Sequence, residues 1–371
     1  MNILALNWQD ISNPLAGGAE VHLEELLRRI SARGHTVTLF CSGYSGAKPE
    51  EDIEGVHIIR RGNRYNFNLI APFYLRKLVK GGNFDVLIED INKIPFYTPL
   101  YLNIPTLVVI PHLFSTSVFK EINFLLGLYI YLSEMPLVSV YRGRKFNVIS
   151  ESTAEDMSQK GIPADDISVI HCGIDDSVYS YNDAIAKYDE PTILYLGRIK
   201  KYKSIDHLIL AFERVRENIP EVRLYIVGSG DYLESLKKLA GKLKLDDKVY
   251  FAGYVSVAKK IEFLRKSHVA VYPSLKEGWG LTNIEANACG TSVIAADSPG
   301  LRDSVSDGET GFLYQYGNID QLAEKLEKIL TDKNVRTNLE EGGRRWARKF
   351  SWDDAADSFL DLLESIANEN K

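Results

Sequence analysis

Cysteine is scarce. Cys41, Cys172 and Cys289 are the only three, they stand far apart, and none belongs to a C-x-x-C pair. That spacing argues against a disulfide framework or a zinc site and favours a reducing, cytoplasmic environment. Long apolar runs are missing too: the longest, residues 124–132, falls far below the roughly 20 residues a spanning helix needs. No basic leader opens the chain, and Asp10 stands where a signal peptide would be apolar, so none is expected. Positive charge is not in excess. Against 50 Asp and Glu there are 44 Lys and Arg, a formal net charge of −6. This argues against a surface built to neutralise nucleic-acid phosphates, so any anionic ligand must be met by a local cluster. The tightest such cluster is Arg198, Lys200, Lys201 and Lys203, with Arg142, Arg144 and Lys145 forming a second. The histidines show no metal-ligand spacing, and no low-complexity tract or short repeat appears.

What is present describes a folded α/β protein. Apolar residues make up 45% and charged residues 25% of 371, more chain than one core usually organises, so two domains are expected. Residues 3–6 read as a strand, followed by a Gly-Gly loop and by Val21, Leu23, Leu26, Leu27 and Ile30 at helical spacing. Arg33, Gly34 and His35 stop that helix before a buried strand at 37–40, completing a βαβ unit. Strands at 56–59, 84–88, 106–110 and 146–149 alternate with helical patterns, which implies a parallel sheet covered on both faces.

Between His171 and Pro191 the pattern lapses into Asp, Ser, Tyr and Asn, and this stretch reads as a linker. The same grammar then restarts. Strands are expected at 193–196, 224–227, 249–252, 269–272 and 293–296, with helices from about 204, from 231, at 319–330 and at 334–350. The predicted domains are 1–175, joined by a C-terminal helix at about 352–371, and 190–351. Two facing Rossmann-like doubly wound domains place ligands at the carboxyl ends of their strands, so the loops there carry the candidate residues.

The richest loop is YPSLKEGWGLTNIE, residues 272–285. Gly278 and Gly280 bracket Trp279 and let backbone approach a ligand, while a helix opening near Leu281 and Thr282 offers N–H groups to an anion. Glu277 before that helix and Glu285 within it can face one pocket. As a purely structural matter Glu277 would be a loop acid and Glu285 a favourable charge near a helix N-terminus.

The segment EGWGLTNIE resembles the E-x7-E motif, with its EGFGL loop, of glycosyltransferase family 4. The resemblance implies that Glu277 contacts the donor sugar and Glu285 the ribose. LGRIKKYKS, residues 196–204, resembles the family's GR-x4-K segment, which implies that Arg198 and Lys203 clamp the diphosphate. Cations at a strand mouth suit a departing nucleotide diphosphate. Residues 14–20, PLAGGAE, resemble the family's glycine loop, with Gly17 and Gly18 letting amides approach phosphate or acceptor. His112 resembles the histidine placed at the donor sugar, although Leu113 follows it where the family has aspartate. Gly228 lies in a G-x-G turn, and Tyr254 ends an F-x-G segment expected near the base through main-chain contacts. Ser204 in place of glycine and Cys172 in place of asparagine are further departures.

If the resemblance holds, the chain is a retaining, metal-independent GT-B hexosyltransferase without a cofactor. It moves sugar from a nucleotide-diphosphate donor to a glycan or lipid-linked acceptor by front-face attack. An epimerase on the same architecture and a non-catalytic nucleotide-sugar sensor are the alternatives. A pyridoxal-dependent phosphorylase lacks a clear lysine site, and the Gly-Gly loop does not form the G-x-G-x-x-G of a nicotinamide enzyme. The apolar stretch 118–140, with Arg76, Lys77 and Lys80, suits peripheral contact with a membrane or lipid-linked acceptor. A helix buried against the N-terminal sheet is the preferred explanation of that stretch.

Overall fold

A parallel strand covered on both faces has no polar side, which is why the central strands here are short unbroken apolar runs. The computed structural model describes residues 1–113, 118–121 and 124–369. The chain divides into two compact units: Met1–Gly173 together with the C-terminal stretch from Trp352, and Ile174–Ser351.

The first unit runs β1 (Asn2–Leu6), α1 (Gly18–Ala32), β2 (Thr36–Gly43), β3 (Glu50–Ile53), β4 (Val56–Asn63), α2 (Phe67–Gly81), β5 (Val86–Asp90) and β6 (Thr106–Ile110). It continues through α3 (Val118–Glu121), α4 (Phe124–Glu134), α5 (Leu137–Val140), β7 (Lys145–Val148), α6 (Glu151–Gln159) and β8 (Ile167–Val169). The sheet order is β3-β4-β2-β1-β5-β6-β7-β8. β3 is antiparallel to β4 and the other pairs are parallel. The sequence did not announce the two edge strands. β3 reads EEDI and β8 only ISV, and an edge strand needs neither length nor two apolar faces.

Helix α1 lays Leu23, Leu26, Leu27 and Ile30 into the core, while Val21 turns outward. The preferred burial of stretch 118–140 is corrected. On α4, Phe124, Leu125, Tyr129 and Leu132 are exposed and Gly127 is buried. An all-apolar helix carries no periodicity that says which face is inside. Residues 122 and 123 of that stretch lie outside the described residues.

The second unit runs β9 (Thr192–Leu196), α7 (Ile205–Asn218), β10 (Arg223–Val227), α8 (Leu233–Lys242), β11 (Val249–Gly253), α9 (Val257–Lys266) and β12 (Val269–Tyr272). It is completed by α10 (Leu281–Ala288), β13 (Ser292–Asp297), β14 (Gly311–Gln315), α11 (Ile319–Thr331) and α12 (Lys333–Ala347). Its all-parallel sheet has the order β11-β10-β9-β12-β13-β14. The chain thus winds outward from β9 in one direction, then crosses to β12 and winds outward in the other. The loops after β9 and β12 diverge at this switch point, where open α/β sheets bind ligands.

The stretch read as a linker, between His171 and Pro191, packs largely on the second unit. Tyr188 stacks on Tyr225 at 5.7 Å, and the Lys187 ammonium donates to the Ser267 carbonyl at 2.8 Å and the Gly290 carbonyl at 2.7 Å. Its polar side chains find partners one at a time, which leaves no periodic trace in sequence. Finally α13 (Trp352–Asn368) returns to the first unit. There Arg29 meets Asp353 at 3.1 Å and Arg33 meets Asp357 at 2.6 Å.

Candidate active site

Strand β9 ends in Gly197 and Arg198, and backbone hydrogen bonds stitch the loop that follows to its neighbours. The Gly197 amide donates to the Val227 carbonyl at 3.0 Å, Ile199 to Ser229 at 2.8 Å and Gly228 to Gly253 at 2.8 Å. Gly228 has φ +139°, and a Cβ there would lie 1.9 Å from the Gly197 carbonyl oxygen. Its glycine is therefore required by the contact between two loops, whatever a ligand asks of it.

Lys203 closes a short turn beyond Arg198, and its ammonium donates to the Glu277 carboxylate. The backbone beneath is tied as well, the Leu275 amide donating to the Tyr202 carbonyl at 2.9 Å. Burial works against the charge on Lys203, but Glu277 outweighs it and holds the ammonium above its usual pKa range. The Arg198 side chain is exposed, and its charge is near enough to act on Lys203. Ser204 takes the left-handed conformation (φ +51°, ψ +39°) that glycine usually occupies. Its hydroxyl lies 2.9 Å from the Tyr316 hydroxyl, so the departure from glycine preserves the turn.

Glu277 is held by the loop after β13. Its amide donates to the Pro299 carbonyl at 3.0 Å, and Gly300 (φ +79°) approaches so closely that a Cβ would sit 2.2 Å from the Glu277 carbonyl oxygen. Gly278 is half-buried. Gly280 adopts φ +85° as the N-cap of α10, with no side-chain cap; its carbonyl takes the Asn283 amide at 2.8 Å, and the Leu281 and Thr282 amides before it have no intrahelical acceptor. Leu281 and Thr282 open the helix half-buried. Trp279 presents its main chain rather than its ring. Its indole is buried edge-on against Phe350 at 5.2 Å between centroids, so only its main chain can reach a ligand.

One turn further along α10, Glu285 Oε1 lies 2.7 Å from the Lys260 ammonium. The same ammonium donates to the Tyr179 hydroxyl at 2.9 Å and stands 4.8 Å above that ring. Lys260, like Lys203, is held above its usual range because the facing carboxylate outweighs burial. Neither Lys260 nor Tyr179 was singled out from sequence, since Lys260 follows another lysine on a helix with an ordinary solvated pattern. Tyr254 is 86% exposed at the end of the turn after β11.

The remaining candidates belong to the first unit. His112 is half-buried just beyond β6, in a loop fastened to α6 by Thr153, whose hydroxyl donates to the Pro111 carbonyl at 3.2 Å. Gly17 is the N-cap of α1. Its amide already donates to Glu20 at 2.7 Å, because a glutamate at the third helical position reaches back to the cap. Gly18 remains open, with nothing within 4 Å of where a Cβ would stand.

Strand ends and the loops beyond them in this unit also gather acids that no sequence motif marks. Both Asp10 oxygens accept from Arg60, at 2.7 and 2.9 Å, and although burial opposes it this pairing holds the carboxyl below its usual range. Burial, with Glu20 nearby, pushes Asp90 well above the carboxylate range, and neither of its oxygens has a hydrogen-bond partner. Two acids closing an apolar strand (VLIED) were the signal available for it.

The model of Glycosyltransferase Family 4 matches residues 16–178, and that of Glycosyl transferases group 1 matches residues 182–346. An uncharacterized glycosyltransferase of Methanocaldococcus jannaschii is 27% identical, with 98% of each chain covered. Further curated relatives, at 31% and 34% identity, align over about half of their own length. Among solved structures, sucrose-phosphate synthase from Thermosynechococcus elongatus superposes with a TM-score of 0.84 at 21% identity, covering 99% of each chain. Anabaena HepE in complex with UDP and glucose gives 0.77 at 18% identity, covering 98% of this chain and all of that one. These likenesses establish the GT-B fold. The two family models together account for most of the sequence, and the chain belongs to the glycosyltransferases that join a family 4 domain to a group 1 domain.

Proposed function

We propose that the protein is a retaining hexosyltransferase using a nucleotide-diphosphate sugar, without a metal, and delivering to a glycan or lipid-linked acceptor from the cytoplasmic side. The observation that carries this reading is the meeting of Lys203 and Glu277 at the sheet's switch point, beside the uncapped start of α10. Lys203 and Arg198 suit the diphosphate, the α10 amides suit a phosphate oxygen, and Glu277 suits sugar hydroxyls. Glu285 is assigned to the ribose, and Gly228, Tyr254, Gly278, Trp279, Gly280, Leu281 and Thr282 to the donor through main-chain atoms. The UDP bound by HepE is in keeping with such a donor.

In the proposed reaction the bond from C1 to the diphosphate oxygen breaks, and that oxygen leaves with the electron pair. The cations stabilise the charge it acquires. The acceptor hydroxyl attacks C1 from the same face and its proton passes to the leaving phosphate, so configuration is kept. Glu277 orients the sugar; His112, Gly17 and Gly18 keep the roles that the family resemblance gives them. Incubation with a panel of UDP, GDP and ADP sugars, with product read by NMR, tests this. An α-linked product from an α-linked donor is expected, undiminished by a chelator. Inversion sinks retention, and conversion of donor without acceptor sinks transfer.

Membrane contact is part of the same reading. On α2, Leu69 and Phe73 are exposed, followed by exposed Arg76, Lys77 and Lys80, and Asn68 meets Tyr129 of α4 at 3.2 Å. Apolar side chains beside lysine and arginine suit the interface of an anionic bilayer. Among the described residues no helix is long and apolar enough to cross a membrane. Co-sedimentation with anionic vesicles at low salt is expected. No binding there removes the membrane and leaves the transferase reading intact.

A further inference from the structure

The two oxygens of Glu285 are held differently. Oε1 is taken by Lys260, and Oε2 is buried with no hydrogen-bond partner. A lone acceptor in such surroundings is costly until a donor reaches it. The lysine that takes Oε1 is itself fixed. It is bound by the Tyr179 hydroxyl and lies over the Tyr179 ring, and Tyr179 belongs to the segment the sequence had marked as linker. Three separate stretches of the second unit, α9, α10 and the residues before β9, therefore converge on one carboxylate. Both partners are largely buried, with 22% of the lysine side chain and 13% of the glutamate side chain exposed.

We propose that Lys260 and Tyr179 are positioning residues that fix the Glu285 carboxylate, leaving Oε2 to accept from a ribose hydroxyl and so setting preference for ribonucleotides over 2′-deoxyribonucleotides. This rests on the donor reading above, in which Glu285 meets the ribose. Two physical consequences favour the arrangement. With Oε1 occupied, the carboxylate cannot turn to offer a different oxygen, so its remaining acceptor keeps one direction. The lysine also neutralises a carboxylate that would otherwise repel the diphosphate of the same ligand. Lys260 needs no contact with the nucleotide for either effect.

Isothermal titration of the full chain with UDP, GDP, ADP and their 2′-deoxy forms tests the proposal. The wild type is expected to bind at least one ribonucleotide roughly tenfold tighter than its deoxy form, the scale of one hydrogen bond to a charged group. Lys260→Met is expected to weaken that ribonucleotide about tenfold and bring the ratio near one, with Lys260→Arg restoring most of both. Tyr179→Phe is expected to do the same in smaller measure. Because Lys260→Met alone strands a buried charge, the double variant with Glu285→Gln is measured beside Glu285→Gln alone. The two are expected to bind equally. A further tenfold loss in the double would mean that Lys260 touches the nucleotide itself, and would overturn the positioning role. Lys260→Met with wild-type affinity and ratio would also overturn it, while leaving the donor reading in place. A wild type that binds none of the nucleotides, or a Glu285→Gln variant indistinguishable from it, would bring down both.

Discussion

In the second unit each candidate carboxylate faces a lysine, Glu277 with Lys203 and Glu285 with Lys260. In the first unit, both oxygens of Asp90, one of Glu24 and both ring nitrogens of His22 are buried without a hydrogen-bond partner. Asp10 of the first unit is paired too, with Arg60, so the contrast lies with Asp90 and Glu24. In the proposed donor site Lys203 can turn from its ion pair to a diphosphate, while Lys260 stays on Glu285 and only balances its charge. Acids buried without cations must instead stay neutral, so they define shape and hydrogen bonding rather than charge.

The steepest test of that contrast compares two glycines. Gly300→Ala forces a Cβ against the Glu277 carbonyl at positive φ and should cost about 2 to 3 kcal/mol of stability. Gly18→Ala in the first unit enters open space and should leave the denaturant midpoint unchanged. Equal losses would mean that the second unit's loops are no tighter than the first's.

Next in size is Lys203→Ala, expected to lower turnover at least tenfold, about 1.4 kcal/mol of barrier. Unchanged turnover would remove the clamp. If the two units divide donor from acceptor, the loss should fall on donor kinetics and leave acceptor KM near wild type.

Stability should also vary with pH through buried groups. Burial, aided by Glu54, Asp10 and Glu25, raises the Glu24 pKa from 4.5 to about 7, and burial lowers the His22 pKa from 6.5 to about 4. Glu24 stabilises the fold fully below its unfolded pKa, and that contribution fades as pH rises from 4.5 through 7. His22 acts oppositely, its contribution present above 6.5 and fading as pH falls towards 4. The two oppose each other between these limits. Removing the Glu24 contribution by Glu24→Gln should steepen the rise of unfolding free energy with pH between 4.5 and 6.5 relative to wild type, a rise to which His22 and His268, both lowered by burial to about 4, contribute. A profile unchanged from wild type would mean Glu24 is not held neutral. The smallest effect belongs to Tyr254→Ala, an exposed side chain whose proposed contact is main-chain, which should shift donor affinity by less than about 0.5 kcal/mol.

Much of this molecule was legible before its structure. The alternation of apolar runs with amphipathic segments gave both parallel sheets, since a strand buried on both faces can hardly be anything but apolar. The glutamates of EGWGLTNIE and the cations of LGRIKKYKS were visible because loops after strands carry function and their residue types name the chemistry.

Other features had no sequence signal. The edge strands Glu50–Ile53 and Ile167–Val169 are too polar or too short to show a pattern, and the outward face of Phe124–Glu134 is hidden by apolar residues on every side. The buried indole of Trp279 depends on Phe350, distant in the chain.

Sequence by itself therefore determined the kind of fold and the four charged residues that recommend a nucleotide sugar, because periodicity and residue type are local properties. Tertiary structure alone decided which charges are paired. Lys203 and Glu277 are separated by 74 positions and Lys260 and Glu285 by 25, and only the winding of the sheet about its switch point brings them together.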